Sequence, residues 1–220
     1  MLSKSTFAGS FALLAAPIVV VAATLAQPTL SDGAAKQVAA LTDHRSAAIA
    51  GMALNLIAVV LLIAGTVWLA LALAQHAPRL AMAGGVLGVL GTLVVLFEDS
   101  VAAAAPSIVS RLGRAQATAV IHSIRSNAAV SAIDLLSALG IIGIILLGIA
   151  VVQAGAPRWA AAAIAVGALG EAAGFATATK APLITGAAFM FAGLLQAVRT
   201  LVVRPRRPPA AQIAEAAAAS

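Results

Sequence analysis

Residues 47–74 read AAIAGMALNLIAVVLLIAGTVWLALALA, an apolar run without a charged residue. A helix needs about 20 mainly apolar residues to cross the hydrocarbon core of a bilayer. Five more stretches meet this requirement: Phe7–Ala26, Leu80–Ala105, Val130–Val152, Trp159–Ala178 and Leu183–Val203. Because these runs are continuously apolar rather than alternating, helices are favoured over a β-barrel. The sequence predicts an all-α membrane protein, with a six-helix transmembrane domain over residues 1–203, Ala47–Ala74 forming its second span.

The composition excludes several classes of protein. Of 220 residues, 62% are hydrophobic and 9% are charged, whereas soluble chains are nearer half apolar and a quarter charged. The absence of cysteine excludes a disulfide framework, thiolate catalysis and cysteine-ligated zinc. The net charge of +6 would suit nucleic acid in a soluble protein. On a membrane protein, basic residues set topology and meet headgroups, so we expect membrane lipids as partners and no nucleic acid.

The first span has two interpretations. Lys4 and the small-residue sequence at 24–26 would suit a cleaved signal peptide. The apolar run is longer than the usual ~7–15 residues of such a peptide, which favours an uncleaved membrane anchor.

The basic residues indicate an orientation. With the amino terminus in the cytoplasm, seven basic residues lie inside and six outside, and the densest cluster, at 204–207, directly follows the sixth span. Positive charge next to a span favours the cytoplasmic side. We therefore expect both termini to be cytoplasmic, and residues 204–220, basic and then alanine-rich, to form a flexible tail.

Two pairs of motifs recur at a spacing of 79 residues. They are the Ala-Pro-Arg turns at 77–79 and 156–158 and the Gly-x-Leu-Gly runs at 88–91 and 167–170. Three prolines are interpreted as starting the exits from the odd-numbered spans: Pro28, Pro106 and Pro182. Because proline lacks an N–H and arginine anchors at headgroups, such motifs suit turns between spans. We predict three tandem hairpins, the alternative being chance matches in an alanine-, leucine- and glycine-rich sequence.

This layout of short hairpins, with turns such as Ala77-Pro78-Arg79, resembles uncharacterised six-helix bacterial integral membrane proteins of the domain-of-unknown-function kind. The resemblance covers residues 7–203 and rests on hydropathy, length and turns. It implies a six-helix fold in a bacterial inner membrane, and it transfers no functional residue.

Four carboxylates lie within predicted spans, where an ionisable residue costs about 2.5–3.5 kcal/mol on insertion scales. They are Glu98, Asp99, Asp134 and Glu171, and the amide of Asn55 lies in the same outer half. Glu171 is deepest, since it follows Trp159 by about 18 Å of helix. These groups either share a polar cavity for a cation, a protonatable solute or a proton, or lie at the wet interface with Glu171 bonded to a neighbouring helix. Lys180 is expected to snorkel to the outer interface.

The loop after the third span carries a basic stripe. Its members fall within an arc of about 80° on a helix and are Arg111, Arg114, Thr118, His122 and Arg125. Apolar residues lie largely opposite: Val109, Leu112, Val120 and Ile124. The pattern predicts an amphipathic surface helix, whose Arg111, Arg114, His122 and Arg125 would bind lipid headgroups. The alternative is a solvated helix packed over the bundle. The first loop, residues 29–45, has a weaker pattern with mixed charges.

No catalytic or metal-binding motif is present, so we expect neither an enzyme nor a cofactor or metal. The sequence favours a non-catalytic envelope, assembly or scaffold protein with another membrane protein as partner. The alternative is a small solute or proton-coupled transporter that uses the outer-half carboxylates. Six short helices seldom enclose a pathway alone, so a transporter would be a homo-oligomer.

Overall fold

The computed structural model describes residues 4–27 and 33–203; the side chains of residues 4–5, 97–103, 125, 128–135 and 203 lie outside this description. The described residues form helices and short turns without a strand. The helices are α1 (Lys4–Ala26), α2 (Ala34–Asp43), α3 (Arg45–Leu73), α4 (Pro78–Arg125), α5 (Ala128–Gln153), α6 (Arg158–Ala176) and α7 (Lys180–Val203). Apart from α2, each contains a segment long and apolar enough to cross a membrane, which confirms the predicted six-helix fold.

The six long helices form three antiparallel hairpins, α1/α3, α4/α5 and α6/α7, which have the most extensive contacts in the bundle. Neighbouring hairpins pack through α3 with α4, α5 with α6, and α7 with α1, so the hairpins close into a ring. One end of the ring, called here the turn end, carries the short connections 74–77 and 154–157. The opposite end, called here the cap end, carries α2 and the end of α4.

Glycines allow the helices of each hairpin to touch backbone to backbone. If Gly65 had a side chain, its Cβ carbon would lie 2.6 Å from the Cα of Leu13. A Cβ carbon added in the same way at Gly143 would overlap the amide of Gly88. In α6/α7, a carbon added at Gly167 would lie 2.6 Å from the amide nitrogen of Met190. Small residues permit this approach in lipid, where helices associate through packing and interhelical hydrogen bonds.

The spacing of 79 residues has a structural counterpart. Gly9, Gly88 and Gly167 follow one another at this interval. Gly9 and Gly167 face the second helix of their own hairpins, whereas a carbon added at Gly88 would lie nearest to Thr66 of α3, in the neighbouring hairpin. In the two Ala-Pro-Arg turns the alanines, Ala77 and Ala156, are buried in the core. Pro78 is the first residue of α4 and Pro157 directly precedes α6 as its N-cap, and the arginine of each turn is exposed. The motifs therefore recur because equivalent parts of successive hairpins meet the same packing requirement.

Two of the prolines lie inside helices and do not end them, contrary to the sequence-based prediction. Pro182 is the third residue of α7, where a proline is tolerated because the first-turn N–H groups have no partner within the helix. Pro106 lies inside α4, which continues to Gly113 before it breaks. Gly113 has φ 73° and ψ 170°, a conformation open essentially to glycine alone. Pro28 lies outside the described residues, as does the predicted tail at 204–220.

The main hydrophobic cluster occupies the bundle from the turn end to about its middle. It draws on all six long helices, and its largest fully buried side chains are Leu13, Leu69, Leu73, Leu147, Val151 and Ile164. Four buried residues with polar side chains are described in the molecule: Thr24, Thr66, Thr92 and Thr200. Three of them, at 24, 92 and 200, bond to a carbonyl of their own helix. The described core is thus almost entirely apolar.

A second hydrophobic cluster forms the cap, defined here as α2 with residues 114–125. Val38 and Leu41 of α2 are buried against Ala117 and Ile121 of α4. This confirms a helix in the third loop and shows that it packs over the bundle against α2. Its buried positions differ from those expected, since Leu112 and Val120 are exposed. The break at Gly113 and the contact with α2 select which face of the segment is covered.

Candidate functional site

Glu171 lies on α6 just beyond the main hydrophobic cluster, toward the cap end. At this level α7 passes directly against the α6 backbone. A carbon added at Gly186 would lie 2.6 Å from the amide nitrogen of Glu171 and 2.7 Å from the carbonyl oxygen of Gly167. Glu171 therefore lies at one of the closest helix contacts in the described part of the molecule.

The carboxyl of Glu171 has an oxygen, Oε1, that is buried and has no hydrogen-bond partner in the described part of the protein. A buried polar atom without a partner is costly, and more so for a charged group than for a neutral one. The hydrogen bond to a neighbouring helix that the sequence suggested as one alternative is therefore not made by this oxygen. The chemistry here is that of a carboxyl able to accept a proton or a ligand.

Asn55 lies on α3, one helical turn from Gly51. A carbon added at Gly51 would contact the backbone and side chain of Gln27, at the end of α1. Asn55 is half-buried and is already engaged in an interaction. It thus belongs to the cap-end half of the bundle, as does Glu171.

Three predicted carboxylates have side chains outside the described residues: Glu98, Asp99 and Asp134. Glu98 and Asp99 fall within α4, and Asp134 falls within α5. All three lie on the cap-end side of the Gly91–Gly140 contact that joins these helices. A shared cavity that includes them and Glu171 remains a prediction.

Lys180, the first residue of α7, is hydrogen-bonded to the end of α1. The sequence suggested that its side chain would snorkel to the outer interface. Its Nζ donates a hydrogen bond of 2.5 Å to the carbonyl oxygen of Gln27. A cation suits the carboxyl end of α1, where the carbonyls lack partners within the helix and the dipole is negative. The lysine also closes the ring, because α1 and α7 belong to the first and last hairpins. Its charge is directed at a carbonyl rather than at Glu171.

In the cap, Arg114 bridges the end of α4 to the end of α2. Its Nη2 lies 2.6 Å from Oδ1 of Asp43 and 2.6 Å from Oγ1 of Thr42. The side chains of Arg114 and Asp43 are 59% and 55% exposed. A pair this exposed contributes little to stability, so its effect is to orient α2 and the α4 segment.

The predicted basic stripe is interrupted at Gly113. Arg111 lies before the break and Arg114 after it, so these two side chains do not follow one straight helix. Arg111 and His122 are exposed, while the side chain of Arg125 lies outside the described residues. Lys36 and Arg45 are exposed at the same end of the molecule. Headgroup binding by Arg111, Arg114, His122 and Arg125 remains a prediction.

Several features of this end were missed from the sequence. The cap depends on α2, whose buried residues Ala34, Val38 and Leu41 have the spacing of one helix face. That spacing was the available signal, and it was obscured by the mixed charges of the first loop. Gln37 on the same helix has a buried Oε1 without a partner in the described region. No local sequence pattern indicates the hydrogen bond from Lys180 to Gln27, since it joins positions 153 residues apart.

The described residues contain no cluster of histidine and carboxylate side chains able to hold a metal ion. Comparison of the chain with protein families, curated proteins and solved structures finds no match.

Proposed function

We propose that this protein is a non-catalytic scaffold or assembly factor of a bacterial inner membrane, with both termini in the cytoplasm and the cap outside. The observation that supports this role most is the contrast between a tightly packed, apolar bundle and a folded cap with exposed basic side chains. Such a molecule presents a surface that a partner can bind. Among the described side chains, no second titratable group lies against Glu171 to form an acid–base pair.

The partner proposed is a membrane protein with an acidic face toward the cap. Exposed cations at this end include Lys36, Arg45 and Arg111, while the Asp43 carboxylate is already paired with Arg114. Complementary charge would steer and orient such a partner more than it would add affinity.

The natural absence of cysteine allows a direct test. A photo-crosslinker is attached to Ser123→Cys, exposed in the cap, or to Gln153→Cys, exposed at the turn end. In intact membranes, the cap position should yield one defined protein adduct that the turn-end position does not.

Charge reversal by Arg111→Glu in the Ser123→Cys chain should reduce that adduct. Equal adducts from both positions, or adducts with lipid alone, would contradict a protein-binding cap.

A second function, a small solute or proton-coupled transporter, is favoured by the unpartnered oxygen of Glu171. This role predicts that Glu171→Gln abolishes proton-coupled flux in vesicles at a normal protein level, because glutamine keeps the shape but cannot release a proton. Unchanged flux in that variant would remove the transport proposal and leave the scaffold proposal intact.

A further inference from the structure

We propose that Glu171 is an intramembrane proton-binding site at the crossing of α6 and α7, and that it releases its proton only when this crossing opens. The site is independent of the scaffold role, and it can operate whether or not the protein transports a solute.

The crossing lies beside the carboxyl, whose Oε1 is buried. Gly186 brings α7 onto the Glu171 backbone, and a carbon added at Gly170 would lie 2.9 Å from the Cα of Gly186. One turn nearer the cap, a carbon added at Gly174 would lie 2.7 Å from the Cβ of Leu183. Two successive close contacts thus hold α6 against α7 at the level of Glu171 and on its cap-end side.

No described cation faces the carboxyl from the elements packed against it. On α7, Lys180 is bonded to Gln27, and Arg199 lies 13 residues beyond Gly186 toward the turn end. Arg158 lies at the opposite end of α6 from the cap. Helix α5 carries one titratable residue, Asp134, whose side chain is outside the described region. An ionised Glu171 in the closed hairpin would therefore lack a counter-charge in the described molecule.

A proton fits this site better than a metal cation does. Hard cations take several oxygen ligands, whereas the described residues offer one carboxyl here and no metal-binding cluster. One proton neutralises the carboxyl without a further ligand. Releasing it leaves a charge that needs water or a partner, so ionisation and closure of α6 against α7 oppose each other.

Dicyclohexylcarbodiimide, a lipid-soluble reagent that adds to protonated carboxyls in apolar surroundings, tests the site in the full-length membrane-embedded chain. Peptide mapping should find the adduct at Glu171, less of it as the pH is raised, and none in Glu171→Gln. A water-soluble carbodiimide should instead label the exposed Asp43 and spare Glu171. Absence of the lipid-soluble label at Glu171 would overturn the proposal, as would its protection by sodium or potassium ions at constant pH.

Opening of the crossing is tested with a matched pair of variants on α7. Gly186→Ala inserts a methyl group beside Glu171, while Gly193→Ala inserts one against the carbonyl oxygen of Ala160, nearer the turn end. The first variant should make Glu171 reactive toward the water-soluble reagent, and the second should leave it unreactive. Equal reactivity in both variants would overturn the link between release and opening. If Gly186→Ala fails to fold, the wild-type labelling and its pH dependence still decide the proton site.

Discussion

The turn-end half and the cap-end half of the bundle are built from the same helices but differ in chemistry. The turn end contains the continuous apolar cluster around Leu147 and Ile164, with connections of four residues at 74–77 and 154–157. The cap end contains Glu171, Asn55, the broken helix at Gly113 and the exposed Arg114–Asp43 pair. Extensive apolar packing thus lies at one end, and Glu171 and the exposed ion pair lie at the other.

The largest expected effect comes from matched leucine truncations in the two halves. Leu147 is 1% exposed in the main cluster, and Leu41 is 3% exposed in the cap. Leucine-to-alanine changes in cores cost about 2–5 kcal/mol. Leu147→Ala should lower the thermal midpoint of the whole bundle in detergent, because its neighbours come from several hairpins. Leu41→Ala should instead increase hydrogen exchange in residues 114–124 and leave the midpoint nearly unchanged.

Equal losses of thermal midpoint in these two variants would show that the cap and the bundle unfold as one unit. The two ends would then differ in the chemistry of their side chains but not in stability.

A smaller effect is expected from Lys180→Met, which keeps much of the side-chain volume but removes the bond to Gln27. Hydrogen bonds that involve a charged group contribute about 1.5–3 kcal/mol. The loss should loosen the α1–α7 contact at the cap end, which hydrogen exchange near residues 23–27 would detect. The control is Lys36→Met, at an exposed lysine of α2. Similar exchange in both variants would mean that Lys180 does not hold α1.

The smallest effect is expected from Asp43→Asn. An exposed ion pair contributes about 0–1 kcal/mol and is screened by salt. The variant should make the cap more accessible to limited proteolysis at low salt, with little difference from wild type at high salt. A large, salt-independent loss would mean that Asp43 acts through another contact.

The sequence predicted the turn-end half better than the cap-end half. Continuous apolar runs such as Ala47–Ala74 identify spans by hydropathy, and the Ala-Pro-Arg turns mark their connections because proline and arginine act locally. At the cap, the outcome depends on contacts between distant segments. Whether Ile121 or Val120 is buried depends on where α2 docks, and no local rule gives the bond between Lys180 and Gln27. The position of Glu171 along the fifth span could be read from the sequence, whereas its contact with Gly186 required the register of α6 against α7.

Closure of the ring by α1 and α7 has a consequence for chain order. The two helices are antiparallel neighbours, so the end of α7 and the start of α1 meet at the turn end. A linker from Val203 to Lys4 and a new start at Pro78 would give a circular permutant with the same neighbours for every helix. Because each hairpin contains two spans, the permutant would also keep every helix pointing the same way across the bilayer. The architecture is thus cyclic, and the natural chain begins at one of three hairpins that could equally well come first.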